Sequence, residues 1–321
     1  MSGWLRTALL VPIVAIFQLT SAAAEGRHAL LIFGATGGEK YAAEHRRWAK
    51  ELSGTLQERL AFQAERVRVL SPEAAPAHRS TRDNISRVLE GLAARVGEDD
   101  LLLVLLVGHG TVDATAAKFN LPGPDMEDRQ WASLLRSIPG RIVFINTASG
   151  SFPFLQRLSA PNRIVITATD STAQRFYTVF PERFVEALAD PAVDRDKNGR
   201  LSVWEVFAGT SAAVQQHYEQ RGQLSTERPI LDDDGDGRGT EADANGPDGA
   251  LARTTYVDAD PISEFADPAL LALVEKQRAL EREAEALKLR KGSMPPAQWD
   301  AEFERLMIEL ARVSRAIRSR S

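Results

Sequence analysis

Leu101 to Val107 is an apolar run with no polar interruption, closed by Gly108. A run that short, ended by glycine, predicts a strand buried on both faces, as in the middle of a parallel sheet. His28–Phe33, Arg66–Leu70, Arg141–Ile145 and Arg163–Ala168 are further apolar segments of strand length. Between them apolar residues recur at helical spacing. Residues 39–62 carry Tyr41, Trp48, Leu52, Leu56 and Leu60 on one side, and Thr81 opens a helix with Ile85, Val88, Leu89 and Leu92. Residues 127–137 place Trp131, Leu134, Leu135 and Ile138 together, and Phe180–Leu188 is helical. Strands and helices thus alternate from 28 to 190, which predicts an α/β fold with a doubly wound parallel sheet. A helical crossover between 101–107 and 141–145 makes those strands parallel, with both polar endings on one edge of the sheet. Ligands of open α/β sheets bind at that edge.

Beyond 190 the pattern changes. Asp194 to Glu205 fits a calcium loop of the EF-hand type, with Asp194, Asp196, Asn198, Ser202 and Glu205 at the oxygen-donor positions. Gly199 permits the sharp turn, Arg200 holds the position that ligates through its carbonyl, and Leu201 is the aliphatic residue after it. A helix from Val203 to about Gln220 continues out of the loop, although Pro191 separates the loop from the helix before it. Asp232, Asp234 and Asp236 repeat the spacing and are candidate ligands of a second loop, with Asp243 where glutamate is usual and no clear helix following. Residues 191–243 read as completing the α/β domain, and 244–268, rich in Gly, Pro and Asp, as a linker or long surface loop. In 269–321, Leu273, Leu280 and Leu287 stand seven apart. After a Gly/Pro break, Phe303, Leu306, Leu310, Val313 and Ile317 alternate steps of three and four. Two narrow apolar seams around a turn predict an antiparallel helical hairpin, packed on itself or on the α/β domain, or offered for self-association or partner docking.

Composition narrows the classes. A hydrophobic content of 44% is ample for a core, and a net charge of −5 with no basic block excludes a nucleic-acid binder. Cysteine is absent, which excludes disulfides, thiolate metal sites, a lipoprotein anchor and a cysteine nucleophile. Residues 1–24 read as a signal peptide: Arg6, the apolar stretch Ala8–Phe17, then Ser21-Ala22-Ala23-Ala24. That stretch falls short of the roughly 20 residues of a spanning helix, so the expected mature chain is exported, periplasmic or secreted. Gly34-Ala35-Thr36-Gly37-Gly38 resembles a dinucleotide loop but lacks its third glycine and its acidic residue, and reads as a turn.

A buried strand ending in Gly108-His109-Gly110, a helix, and a second strand ending in Thr147-Ala148-Ser149-Gly150-Ser151 resemble the caspase/legumain group of peptidases (clan CD) over about 28–190. The calcium-like loop, the Asp-rich stretch and the hairpin look similar to uncharacterised bacterial members of that group. The resemblance implies a caspase-like sheet, His109 as general base and acid, and the backbone beside it, at Gly110, helping to bind an oxyanion. It also implies a cysteine nucleophile two residues before Ser-Gly-Ser. That position is Thr147. A thiol is a few per cent thiolate at neutral pH, whereas a hydroxyl needs a closely hydrogen-bonded base, and a β-branched threonine is restricted about χ1. The expectation is therefore a non-catalytic homologue that binds a peptide or protein at the carboxyl edge, with Ca2+ as a structural staple. The alternatives are a hydrolase using Thr147 or Ser149 with His109, and a calcium-dependent structural or assembly protein. Asp125 and Asp170 are placed either to orient His109 or bind a basic side chain, or simply to cap their own loops.

Overall fold

The computed structural model describes residues 26–113, 115–244, 246–259 and 268–320. The expected signal peptide, 1–24, lies outside the described residues, as do parts of the expected linker. Among the described residues no helix is long and apolar enough to cross a membrane.

The chain runs β1 (Arg27–Phe33), α1 (Glu39–Gly54), β2 (Val67–Leu70), α2 (Arg82–Ala93), β3 (Leu101–Val107), β4 (Gly110–Val112), β5 (Ala117–Phe119), β6 (Met126–Glu127), α3 (Asp128–Leu135) and β7 (Arg141–Asn146). It continues through α4 (Phe152–Leu158), β8 (Arg163–Thr167), α5 (Phe180–Ala189), α6 (Val203–Glu219), β9 (Ile230–Asp232) and α7 (Ala250–Arg253), then α8 (Pro268–Leu289) and α9 (Pro296–Arg318). The main sheet has the order β2-β1-β3-β7-β8-β9. The first five strands are parallel, and β9 lies antiparallel on β8. The fold is α/β with a largely parallel sheet, and the antiparallel edge strand corrects the expectation of an all-parallel one.

The period-two geometry of a strand explains why these apolar runs have no polar face. Leu101, Leu103, Leu105 and Val107 point to one side, packing with Trp48 and Leu52 of α1, Phe180 and Phe184 of α5, and Phe207 of α6. Leu102, Val104 and Leu106 point to the other, with Ile85 and Leu89 of α2, Trp131 and Leu135 of α3, and Phe154 and Leu155 of α4. Every residue of β3 is therefore buried. Capping places the helix starts: Thr81 accepts from the Asn84 N–H before α2, and Ser202 with Glu205 forms a reciprocal capping box before α6.

The structure adds elements that the apolar pattern does not carry. The expected 39–62 helix ends at Gly54 and passes through a π-helical turn. A small antiparallel sheet, β4-β5-β6, rises from the end of β3 and seats Phe119 on Trp131. Part of the expected linker is folded into the body. Asp233 accepts from the Gly249 and Ala252 N–H groups around α7, and the Val257 N–H bonds the Leu201 carbonyl. Helices α8 and α9 pack on each other through their own apolar cluster, Leu280, Leu287, Leu306 and Val313 among it, with the Trp299 indole donating to the Leu287 carbonyl.

Candidate functional site

Strands β3 and β7 are adjacent and in register, Leu101 opposite Arg141 through Leu106 opposite Asn146. The residues after them therefore emerge together at the carboxyl edge. His109 follows β3, and 147–151 follow β7. Gly110 lets the two loops touch: a Cβ there would collide with the Ser149 carbonyl oxygen. Gly150 adopts φ +63, the left-handed turn that brings the loop back toward α4.

His109 is half-buried. Its imidazole meets Tyr41 edge-on at 5.1 Å and Tyr177 at 5.7 Å, and the two tyrosines lie 5.0 Å apart. Burial lowers its pKa below the ordinary 6.5, opposed by a hydrogen bond with the Thr36 backbone. Behind it sits His45, buried between Phe33 and Trp48, its pKa lowered to about 4 by burial first and by the nearness of His109 second. The Tyr177 hydroxyl donates to Glu44 Oε2 at 3.1 Å. Burial first, and then Glu44, push its pKa up, so the phenol stays a donor.

Thr147 faces the other way. It is 0% exposed, and its hydroxyl donates to the Leu106 carbonyl at 2.8 Å, continuing the ladder between β7 and β3. Ser149 Oγ lies 3.4 Å from the Gly110 carbonyl, and Ser151 pairs with Thr169 at 3.0 Å. Among the described residues neither the Thr147 nor the Ser149 hydroxyl is hydrogen-bonded to His109. The aspartates are spent locally. Asp125 accepts from the Leu121 N–H in its own loop, and Asp170 stands 3.9 Å from Arg228. So the structure brings His109, Gly110 and Ser149 to one edge, and leaves Asp125, Asp170 and the Thr147 hydroxyl outside the group around the imidazole.

Tyr41, Glu44 and Tyr177 belong to the site although no motif in the sequence marks them. Tyr41 belongs to the helical series of α1, but it precedes the part of that helix lying on the sheet and reaches the loops instead. The adjacent aromatics Phe176 and Tyr177 in a loop are the one signal the sequence offered. Glu227 is a further residue that no sequence pattern marks: buried at the start of α5, it accepts from the Val179 and Phe180 N–H groups and from the Tyr218 hydroxyl. Burial nonetheless raises its pKa from 4.5 to about 6. Because the folded value is the higher one, the proton stabilises the fold. That contribution is fully present below pH 4.5 and is lost as pH rises through about 6. Over 1.5 pH units it amounts to about 2 kcal/mol. Glu227→Gln is expected to remove this share of the pH dependence, read from urea unfolding at pH 4.5 and pH 7. Equal slopes for variant and parent would refute the assignment.

Two acidic groupings stand elsewhere. Carboxylate oxygens of Asp194, Asp196 and Glu205 gather within 4.8 Å of one another, and so do those of Asp232, Asp234 and Asp248. In the first loop, N–H groups of Asn198 and Gly199 bond Asp194, the Arg200 N–H bonds Asn198, and the Arg200 side chain meets Asp258 and stacks on Tyr256. In the second, Asp232 accepts from Gly235 and Gly237 N–H groups, and the Arg238 N–H bonds Asp236. Asp248, rather than Asp243, completes that grouping, its carboxyl pushed up to about 7 by burial. A cavity of about 1420 Å³ opens between the first loop and α8–α9, lined by Asp196, Trp204, Glu205, Arg253, Glu281 and Lys288.

No family model matches the chain, and no curated protein matches it. Among solved structures it is similar to protein GSU0716 from Geobacter sulfurreducens, at 14% identity over 64% of this chain and 92% of that one, with a TM-score of 0.43. It is also similar to drICE, a caspase, at 15% identity over 65% and 87%, with a TM-score of 0.40.

Proposed function

We propose that the chain is an exported, non-catalytic homologue of caspase/legumain-like peptidases that binds a peptide or protein segment at the carboxyl edge of its sheet. The observation that carries this is Thr147. At the position of the family's thiol stands a buried hydroxyl committed to the Leu106 carbonyl, beside a histidine hydrogen-bonded to neither neighbouring hydroxyl. An acyl-transfer nucleophile must lie within reach of its base. The hydroxyl-based hydrolase lacks that contact. Export is read from the apolar and small-residue pattern of 1–24. Calcium is the proposed staple: both acidic groupings offer only oxygen, the donor of choice for a hard divalent cation, and Asp194, Asp196, Asn198, Ser202 and Glu205 keep the spacing of the loop type. The α8–α9 pair, with Met307 and Ile308 exposed, is the proposed surface for self-association or a partner.

The test is incubation of a mixed-peptide library with the mature protein in millimolar calcium, beside His109→Ala. Neither is expected to cleave, and turnover by the parent alone would overturn the non-catalytic reading. A chain without cysteine permits a second check. The single thiol of Thr147→Cys is expected to react with a thiol reagent on the order of 100-fold slower than in denaturant, because labelling requires local opening. Rapid labelling would return this position to the candidate nucleophiles.

A further inference from the structure

The connection from β8 to α5 crosses the carboxyl edge and touches each element of the site. The Gly150 N–H donates to the Gln174 carbonyl at 3.0 Å, and the Thr178 hydroxyl donates to the Thr147 carbonyl at 2.6 Å. Tyr177 lies against His109 and Tyr41, with its hydroxyl on Glu44 of α1. Among the described residues its other hydrogen bonds are local, from the Asp170 N–H to the Gln174 side chain at 3.1 Å and between residues 171–175 themselves. None of residues 171–177 is buried, and Phe176 is 68% exposed. By contrast Thr178 and Phe180, which follow, are buried, and Glu227 pins the start of α5. A stretch with few buried apolar contacts between rigid ends opens at low free energy.

We propose that residues 171–177 are a strap that occupies the ligand's place at His109. Opening it uncovers the imidazole and frees the Gly150 N–H. The strap's own contacts name what replaces it: a backbone carbonyl for Gly150 and an aromatic side chain against His109 and Tyr41. That is the chemistry of an extended peptide bearing Tyr or Phe. The identity of this ligand rests on the peptide-binding reading above, whereas the strap itself does not.

Site-resolved modification of histidines by diethyl pyrocarbonate, in the full chain and read by mass spectrometry, separates the two. His109 is expected to react about tenfold faster in Tyr177→Ala than in the parent, through loss of two ring contacts. Exposed His78 serves as the rate reference, and buried His28 and His45 report that the fold is kept. Glu44→Ala, on the surface side of α1, keeps the core intact and is expected to give about fivefold by removing the phenol's acceptor. It decides the matter if Tyr177→Ala exposes His28 and His45. An unchanged His109 rate in a folded variant overturns the strap. A synthetic peptide with the sequence of residues 174–178 is then added to the opened variant. Protection of His109 supports the aromatic-peptide ligand, and a fast rate that the peptide leaves unaltered overturns that ligand while the strap stands.

Discussion

Trp131→Ala is expected to destabilise the domain by about 3–5 kcal/mol, the range for truncating a buried large aromatic. Trp131 is 0% exposed, with Phe119 at 6.4 Å and Phe144 at 5.8 Å, each near edge-to-face. Phe144 in turn stacks on Phe154 at 6.3 Å. This aromatic file runs from the small sheet through α3 to β7 and α4, and Phe119 is the small sheet's foot on it. Because β4 begins at Gly110, the cavity left by alanine loosens the wall that Gly110 presents to Ser149. Trp131→Phe should behave differently. The indole N–H is buried with no hydrogen-bond partner among the described residues, so phenylalanine loses ring volume and no bond. Its cost is expected below that of alanine, because the cavity left behind is smaller. Guanidinium unfolding of the three proteins measures both, and a loss under about 1 kcal/mol for alanine would show that the small sheet is not seated through this residue.

Withdrawal of the proposed calcium is expected to have the second large effect. Extracellular calcium modules bind at about 10⁻⁴–10⁻³ M, so at about 10 mM free ion each proposed calcium loop would contribute about 1.4–2.7 kcal/mol by mass action. A kcal/mol moves the midpoint of a domain of 150–250 residues by about 2–4 °C. Chelation is therefore expected to lower the melting temperature by about 3–10 °C for each loop. The physical cause is crowding of carboxylates. Burial raises Asp232 and Asp248, with neighbouring carboxylates adding to it, and a divalent charge at their centre would offset the repulsion. Glu205→Gln should abolish the response of the first loop, and Asp232→Asn that of the second. Identical melting in chelator and in calcium would remove the staple from the reading. Glu205 is also the partner of Ser202 in the capping box, so its variant will lower the calcium-free midpoint too; the change on adding calcium is the quantity to compare.

The main sheet was legible in the sequence because its central strands are buried on both faces. Leu101–Val107 reads as a strand without any alternation to detect, and a helix between it and Arg141–Asn146 leaves little choice but parallel neighbours. That alone carries His109 and the Thr147 turn to one edge. The three-residue strand β9 was illegible. Ile230 and Leu231 stand between a proline and an aspartate run, too short for any period to emerge, and only the open edge of β8 makes them a strand. The same holds for β4, β5 and β6, whose pairing depends on the floor that Trp131 supplies.

Residue types and spacing alone determined that this chain has no thiol, that a histidine follows a buried strand, and that oxygen donors recur at calcium-loop intervals. These are properties of local pattern, and local pattern survives in one dimension. What the side chains do there was decided by the tertiary structure. Threonine's hydroxyl turns to Leu106 because the neighbouring strand offers a carbonyl 2.8 Å away. Asp248 takes the place expected of Asp243 because α7 folds back beneath the second loop. Tyr177 reaches His109 across 68 residues of chain, since β8 delivers its loop to the same edge as β3. Partners chosen by a fold across such distances leave no period in the sequence, and only the assembled sheet edge brings them together.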